Sequence, residues 1–186
     1  MLGRAAFAIL LAFAASGCST PGENLPELES RSLTPYRLGI GDEVRVTVFG
    51  LDALTNTYLV ADDGTVSMPL LDRVELGGKT TEEAETTIEQ RLRNAKIIQD
   101  PSASVQVTRY RPFYILGEVQ KPGAYPYAPG MTLLTAVALA GGYTFRAETD
   151  YASVVRPEDG SVQEGRVTPK TPILPGDTVY VYESWF

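Results

Sequence analysis

The sequence predicts an α+β fold, on three observations. Val44, Val46 and Val48 alternate with Glu43, Arg45 and Thr47, the period-two pattern of a half-buried strand. Thr80 and Glu83 form a capping box ahead of Ala84, Ile88 and Leu92, an apolar stripe at helical spacing. Arg109 to Gly142 then compresses strand, turn, strand, turn and helix into one short stretch.

Order is expected from Tyr36. A turn-rich Tyr36–Asp42 leads into the Glu43–Gly50 strand. Tyr58–Ala61 and Thr65–Pro69 read as two strands joined in a hairpin by Asp62-Asp63-Gly64. The two aspartates are expected as turn formers, their side chains bonding local backbone. Leu70–Val74 extends the sheet before Gly77-Gly78. The helix that follows ends near Asn94–Lys96, with Glu85, Glu89, Gln90, Arg91 and Arg93 on its wet face. Pro101 blocks further helix, and Ala103–Thr108 alternates again.

Phe113–Val119 is apolar and β-prone, and Lys121-Pro122-Gly123-Ala124 is a proline–glycine turn. Tyr125–Tyr127 is a short aromatic strand. Pro129-Gly130 turns the chain, Thr132 caps a helix over Leu133–Ala140, and Gly141-Gly142 ends it. Ala152–Val155 is a strand, Arg156–Gly160 a polar turn, Gly165–Thr168 a weak strand and Thr178–Tyr182 the last one. Gly41-Asp42 and Gly176-Asp177 each precede an alternating strand and are expected as turns.

Ahead of this lies Ala5–Ala15, a continuous apolar run behind Arg4, too short to span a bilayer comfortably. It reads as an export signal. The run closes on Ala15-Ser16-Gly17-Cys18, and small residues before the sole cysteine resemble a bacterial lipoprotein processing site. Cleavage there makes Cys18 the acylated N-terminus, and Ser19 after it implies sorting to the outer membrane. An ordinary signal peptide that leaves a free thiol is the alternative. Residues 1–17 are thus a signal, and 18–35, polar with Pro21, Gly22 and Pro26, a flexible tether. Residues 36–109 and 110–186 are two small modules.

Composition narrows function. A formal charge of -7 and a pI of about 4.7 disfavour a nucleic-acid partner. With no histidine and one cysteine, a Cys/His metal site or a histidine-based triad cannot be built within one chain. The glycines lack the spacing of a phosphate loop. No enzyme activity and no cofactor are expected. Tyr110, Phe113, Tyr114, Tyr125, Tyr127 and Tyr143 crowd the start of the second module; such rings suit sugar faces, protein interfaces and a small core alike. Asp62, Asp63, Tyr114, Tyr125 and Tyr127 are the candidate polymer or subunit contacts.

The order of motifs carries a resemblance. Tyr36-Arg37-Leu38-Gly39-Ile40-Gly41-Asp42 with Val44-Arg45-Val46, then Asp63-Gly64, Pro69, Thr81-Glu82-Glu83-Ala84 and Pro101, resembles the periplasmic domain of bacterial polysaccharide export proteins, the Wza and GumB-like family. Leu116-Gly117-Glu118-Val119, Lys121-Pro122-Gly123, Pro129-Gly130, Ala140-Gly141-Gly142 and Gly176-Asp177 resemble its SLBB domain, a β-grasp module. The resemblance implies an exporter of capsular polysaccharide or exopolysaccharide, lipid-anchored at the outer membrane and facing the periplasm. It implies a homo-oligomeric ring, often an octamer, around a polymer passage, and an inner-membrane copolymerase as partner. No amphipathic helix follows Thr178–Tyr182, so a separate outer-membrane pore protein is expected to complete the route. A periplasmic sugar-binding or scaffold lipoprotein that forms no passage is the alternative.

Overall fold

A computed structural model describes residues 21–22, 24–28, 35–158 and 161–184. The expectations for the signal and for Cys18 lie outside the described residues. The described chain is α+β, as its patterning predicts, with two hydrophobic cores.

The first module runs β1 (Glu43–Val48), a 3-10 turn (Asp52–Leu54), β2 (Asn56–Leu59), β3 (Thr65–Met68), β4 (Asp72–Glu75), α1 (Thr81–Asn94) and β5 (Ala103–Arg109). Val44, Val46 and Val48 are fully buried, as the alternation requires. β1 lies between β2 and β5, antiparallel to both. The Asp62–Gly64 turn forms, but the expected hairpin does not. β2 pairs with β1, whereas β3 pairs with β4 in a separate two-stranded sheet. The turn therefore carries the chain from one sheet to another. Its local bonds, Gly64 N–H to Ala61 O and Ala61 N–H to Thr65 O, are those of a tight turn, which is all its sequence specifies.

Helix α1 starts where predicted. Thr80 Oγ1 accepts from the Glu83 N–H, and the Glu83 carboxylate accepts from the Thr80 N–H at 3.0 Å. Ala84, Ile88 and Leu92 are buried. Glu85 and Glu89, expected in water, instead reach the free edge of β5 and accept the N–H groups of Val105 (2.8 Å) and Ala103 (3.0 Å). A helix-period pattern marks a polar face but not the sheet edge beneath it.

The second module runs β6 (Phe113–Gly117), β7 (Gly123–Tyr125), α2 (Leu133–Leu139), β8 (Ala152–Glu158), β9 (Ser161–Val167) and β10 (Thr178–Val181). Its sheet order is β7-β6-β10-β8-β9, with β6 and β10 parallel at the centre and the other pairs antiparallel. That is the β-grasp arrangement, with α2 burying Leu133, Ala136 and Val137. β7 begins at Gly123, ahead of the expected Tyr125. The expected polar turn at Arg156 is strand, because β8 and β9 continue as a long hairpin. Pro157 is tolerated there because pairing with β10 stops at Val155, leaving no ladder bond for it to forfeit.

Residues 25–28, expected within a flexible tether, lie along β9. Arg166 N–H donates to Pro26 O (2.8 Å), Leu28 N–H donates to Arg166 O (2.9 Å), and Leu28 packs on the second core. Gly165 makes room for them, since a β-carbon there would overlap Leu28 and crowd Pro26 O.

Candidate functional site

Two matching turns frame the junction between the modules. In Gly39-Ile40-Gly41-Asp42 and Leu174-Pro175-Gly176-Asp177, glycine takes a positive φ of 89° and 87°. In each the aspartate N–H bonds back to the carbonyl of the turn's first residue at 3.1 Å. Each carboxylate then accepts the first residue's N–H, at 2.7 Å from Gly39 and 2.8 Å from Leu174. Both carboxylates are 0% exposed. Burial at that level requires full pairing, and each turn supplies it with an arginine.

Asp177 holds Arg156 by a two-pronged pair, Nε to Oδ1 at 2.9 Å and Nη2 to Oδ2 at 2.7 Å. Asp42 accepts the Tyr36 hydroxyl at 2.5 Å and the Arg111 N–H at 2.8 Å, with Arg111 Nη1 3.8 Å away. Burial first, and then the bond to Asp42, hold the Tyr36 hydroxyl pKa far above the usual phenol value.

Arg111 is the link. Its Nε donates to Pro175 O of the other turn at 3.1 Å, and Gly176 N–H donates to Pro112 O at 3.1 Å. A β-carbon at Gly39 would overlap the guanidinium, and one at Gly176 would lie 2.8 Å from Nε. The glycines thus serve close approach as well as turning. Beside the link, Tyr36, Tyr110 and Tyr127 form an edge-to-face ladder with centroids 5.0 and 5.4 Å apart. A groove of about 230 Å³ opens next to it, lined by Pro35, Tyr36, Thr80, Thr81, Glu82, Val107 and Tyr110. This arrangement joins the two modules through hydrogen bonds centred on Arg111 and presents no nucleophile paired with a base. Among the described residues, no cluster of three or more histidine, cysteine or acidic side chains could hold a metal ion.

The sequence candidates do not converge. Asp62 is exposed on the turn between β2 and β3. Asp63 accepts the Thr65 N–H (3.0 Å) and hydroxyl (2.7 Å) and pairs with Arg73 (2.6 Å). The Thr65 bonds foremost, with Arg73 adding, hold its carboxyl below the usual range. Tyr125 stacks on Phe113 at 5.9 Å and donates to Lys121 O, and Tyr127 packs against the second core. Tyr114 differs. It points away from the core on β6 and is 45% exposed. The sequence marked both Gly-Asp turns but gave no sign that Arg111 and Arg156 complete them, because their partners are remote in sequence.

Residues 30–108 match the family model described as polysaccharide biosynthesis/export protein, and residues 112–168 match that of the SLBB domain. The chain belongs to the polysaccharide export family. Its export module and SLBB module meet at residues 109–111, the connection clamped between the two turns. The exopolysaccharide production protein ExoF of Rhizobium meliloti (strain 1021) is 38% identical over 146 residues, covering 73% of this chain and 32% of the relative. The EPS I polysaccharide export outer membrane protein EpsA of Ralstonia nicotianae (strain ATCC BAA-1114 / GMI1000) is 29% identical over 135 residues, 59% of this chain and 35% of the relative. An EpsA of Ralstonia solanacearum matches equally. The chain spans about a third of the length of these relatives.

Proposed function

We propose that this protein is a subunit of the periplasmic conduit through which a bacterium exports exopolysaccharide or capsular polysaccharide. The observation that carries the reading is an export module followed by an SLBB module in one chain, 38% identical over 146 residues to an exopolysaccharide production protein. In this reading acylated Cys18 anchors each subunit at the outer membrane, facing the periplasm. Subunits assemble as a ring and engage an inner-membrane copolymerase. The bonds that join the modules at Arg111 support it, since a ring needs every subunit to hold one angle between its modules. Asp62, Asp63, Tyr125 and Tyr127 stand as contacts to polymer or neighbour. We assign no catalytic step.

Single-particle imaging of the detergent-extracted lipoprotein tests it. A closed ring with a lumen is expected. A strict monomer, even with the inner-membrane copolymerase present, overturns the conduit and leaves a scaffold lipoprotein. Deleting the gene is expected to trap polymer in the periplasm.

A further inference from the structure

The leading segment is docked on the SLBB module. Pro21 O accepts the Tyr151 hydroxyl at 3.0 Å, and Gly22 lies so close to the Tyr182 ring that a β-carbon there would overlap it. Leu25 N–H turns back to Gly22 O, and residues 26–28 then follow the edge of β9. Three residue steps separate Cys18 from Pro21, a reach of about 11 Å when fully extended. An acyl group on Cys18 therefore holds the Tyr151–Tyr182 corner of this module within about that distance of the lipid headgroups.

That corner belongs to the face of the sheet turned away from α2. Tyr182 stands beside Tyr180 (centroids 5.0 Å apart), Tyr180 pairs with Leu116, and Thr178 pairs with Tyr114. Tyr114, Leu116 and Tyr180 are 45%, 44% and 46% exposed. Together with Ala124 and Val155 they make an outer face without a charged side chain among the described residues of β6, β7, β8 and β10; Glu164 and Arg166 lie at its margin on β9. Tyrosine suits the boundary between acyl chains and headgroups, with its ring in the apolar layer and its hydroxyl in water. The anchor makes the contact intramolecular, so a modest apolar area suffices.

We infer that Tyr114, Leu116 and Tyr180 form a membrane-docking face that lies on the lipid surface carrying acylated Cys18. This rests on the anchoring given under the proposed function. The full-length protein is extracted, and its N-terminal peptide is weighed for acyl chains. It is then placed in phosphatidylethanolamine–phosphatidylglycerol vesicles containing shallow spin-labelled lipid. A fluorophore sits at Leu116→Cys or, as control on the exposed side of α1, at Gln90→Cys. At least threefold quenching at position 116 with none at 90 is expected, and Tyr114→Ser/Tyr180→Ser is expected to reduce it. Acylated protein unquenched at 116 overturns the docking face and leaves the anchor standing. Unlabelled Leu116→Cys protein that a bifunctional thiol reagent cross-links between copies, with no quenching of the labelled protein, makes the face a subunit interface, and protection at 116 by added polymer alone makes it a sugar platform; either overturns the proposal. A Cys18 peptide without acyl chains removes the anchor, and the docking with it.

Discussion

The N–H of Arg111 donates to the buried carboxylate of Asp42 at 2.8 Å, so the connection between the modules is pinned by a residue of the first. Asp42→Ala leaves the N–H groups of Gly39 and Arg111 and the Tyr36 hydroxyl without their acceptor. A loss of roughly 3 kcal/mol is expected. Urea unfolding is expected to split into two transitions as the modules uncouple. A single transition at an unchanged midpoint would show that the joint contributes nothing.

Asp177→Ala strands Arg156, whose side chain is almost fully buried. Removing one partner of such a pair costs about 3–5 kcal/mol. Arg156→Met/Asp177→Leu, which removes both charges, is expected to recover much of that loss in calorimetry. A double variant as unstable as the single one would place the energy in the turn rather than in the pair.

Gly165→Ala is expected to expel residues 26–28 without unfolding the sheet, because the new methyl overlaps Leu28. Amide exchange at Leu28 and Arg166 should rise at least tenfold, while Val154 and Val179 stay protected. Loss of protection throughout β8–β10 would contradict this.

Acid should loosen the start of α1 and the Asp63 turn. The Thr80 N–H foremost, and then Arg37, hold the Glu83 carboxyl below its usual value, as the Thr65 bonds do for Asp63. Each folded pKa lies below the unfolded one. The contribution is therefore complete above the ordinary carboxylate value of about 4 and is lost as pH falls through the lower folded value. Amide exchange at Thr80, Glu83 and Thr65 followed through acid titration checks this, and Glu83→Gln should flatten the Thr80 response.

Glu85→Ala/Glu89→Ala uncovers the N–H groups of Val105 and Ala103 on the edge of β5. An open edge recruits other strands. Faster exchange at both amides and concentration-dependent association beyond that of the parent protein are expected in light scattering, whereas an unchanged assembly state would show that the edge is protected by other means.

Much of this fold was legible because it is written locally. The valines of β1, the capping box at Thr80 and the glycines closing α2 each act within a few residues. What escaped is long-range. Asp62–Gly64 announces a turn, yet nothing near it says that β2 will pair backward with β1 and β3 forward with β4. Arg156 looks like the start of a polar turn until Asp177 supplies its counter-charge. Pro21–Leu28 carries no apolar period of its own and is held through backbone bonds to a strand far along the chain. The candidate tyrosines divide for the same reason: β6 alternation puts Tyr114 outside, while Tyr125 and Tyr127 are placed by Phe113 and Tyr110.

The parallel pairing of β6 with β10 also sets a schedule. β6 pairs with β7 on one edge, but its second edge stays bare until β10, made long after it, is in place. Contacts so distant in sequence slow folding and leave strand edges bare meanwhile. During synthesis from the N-terminus the chain therefore carries an unfinished sheet until β10 has emerged. For this protein the hazardous interval is the one before β10 docks, when a neighbouring copy's strand could pair with β6 in its place.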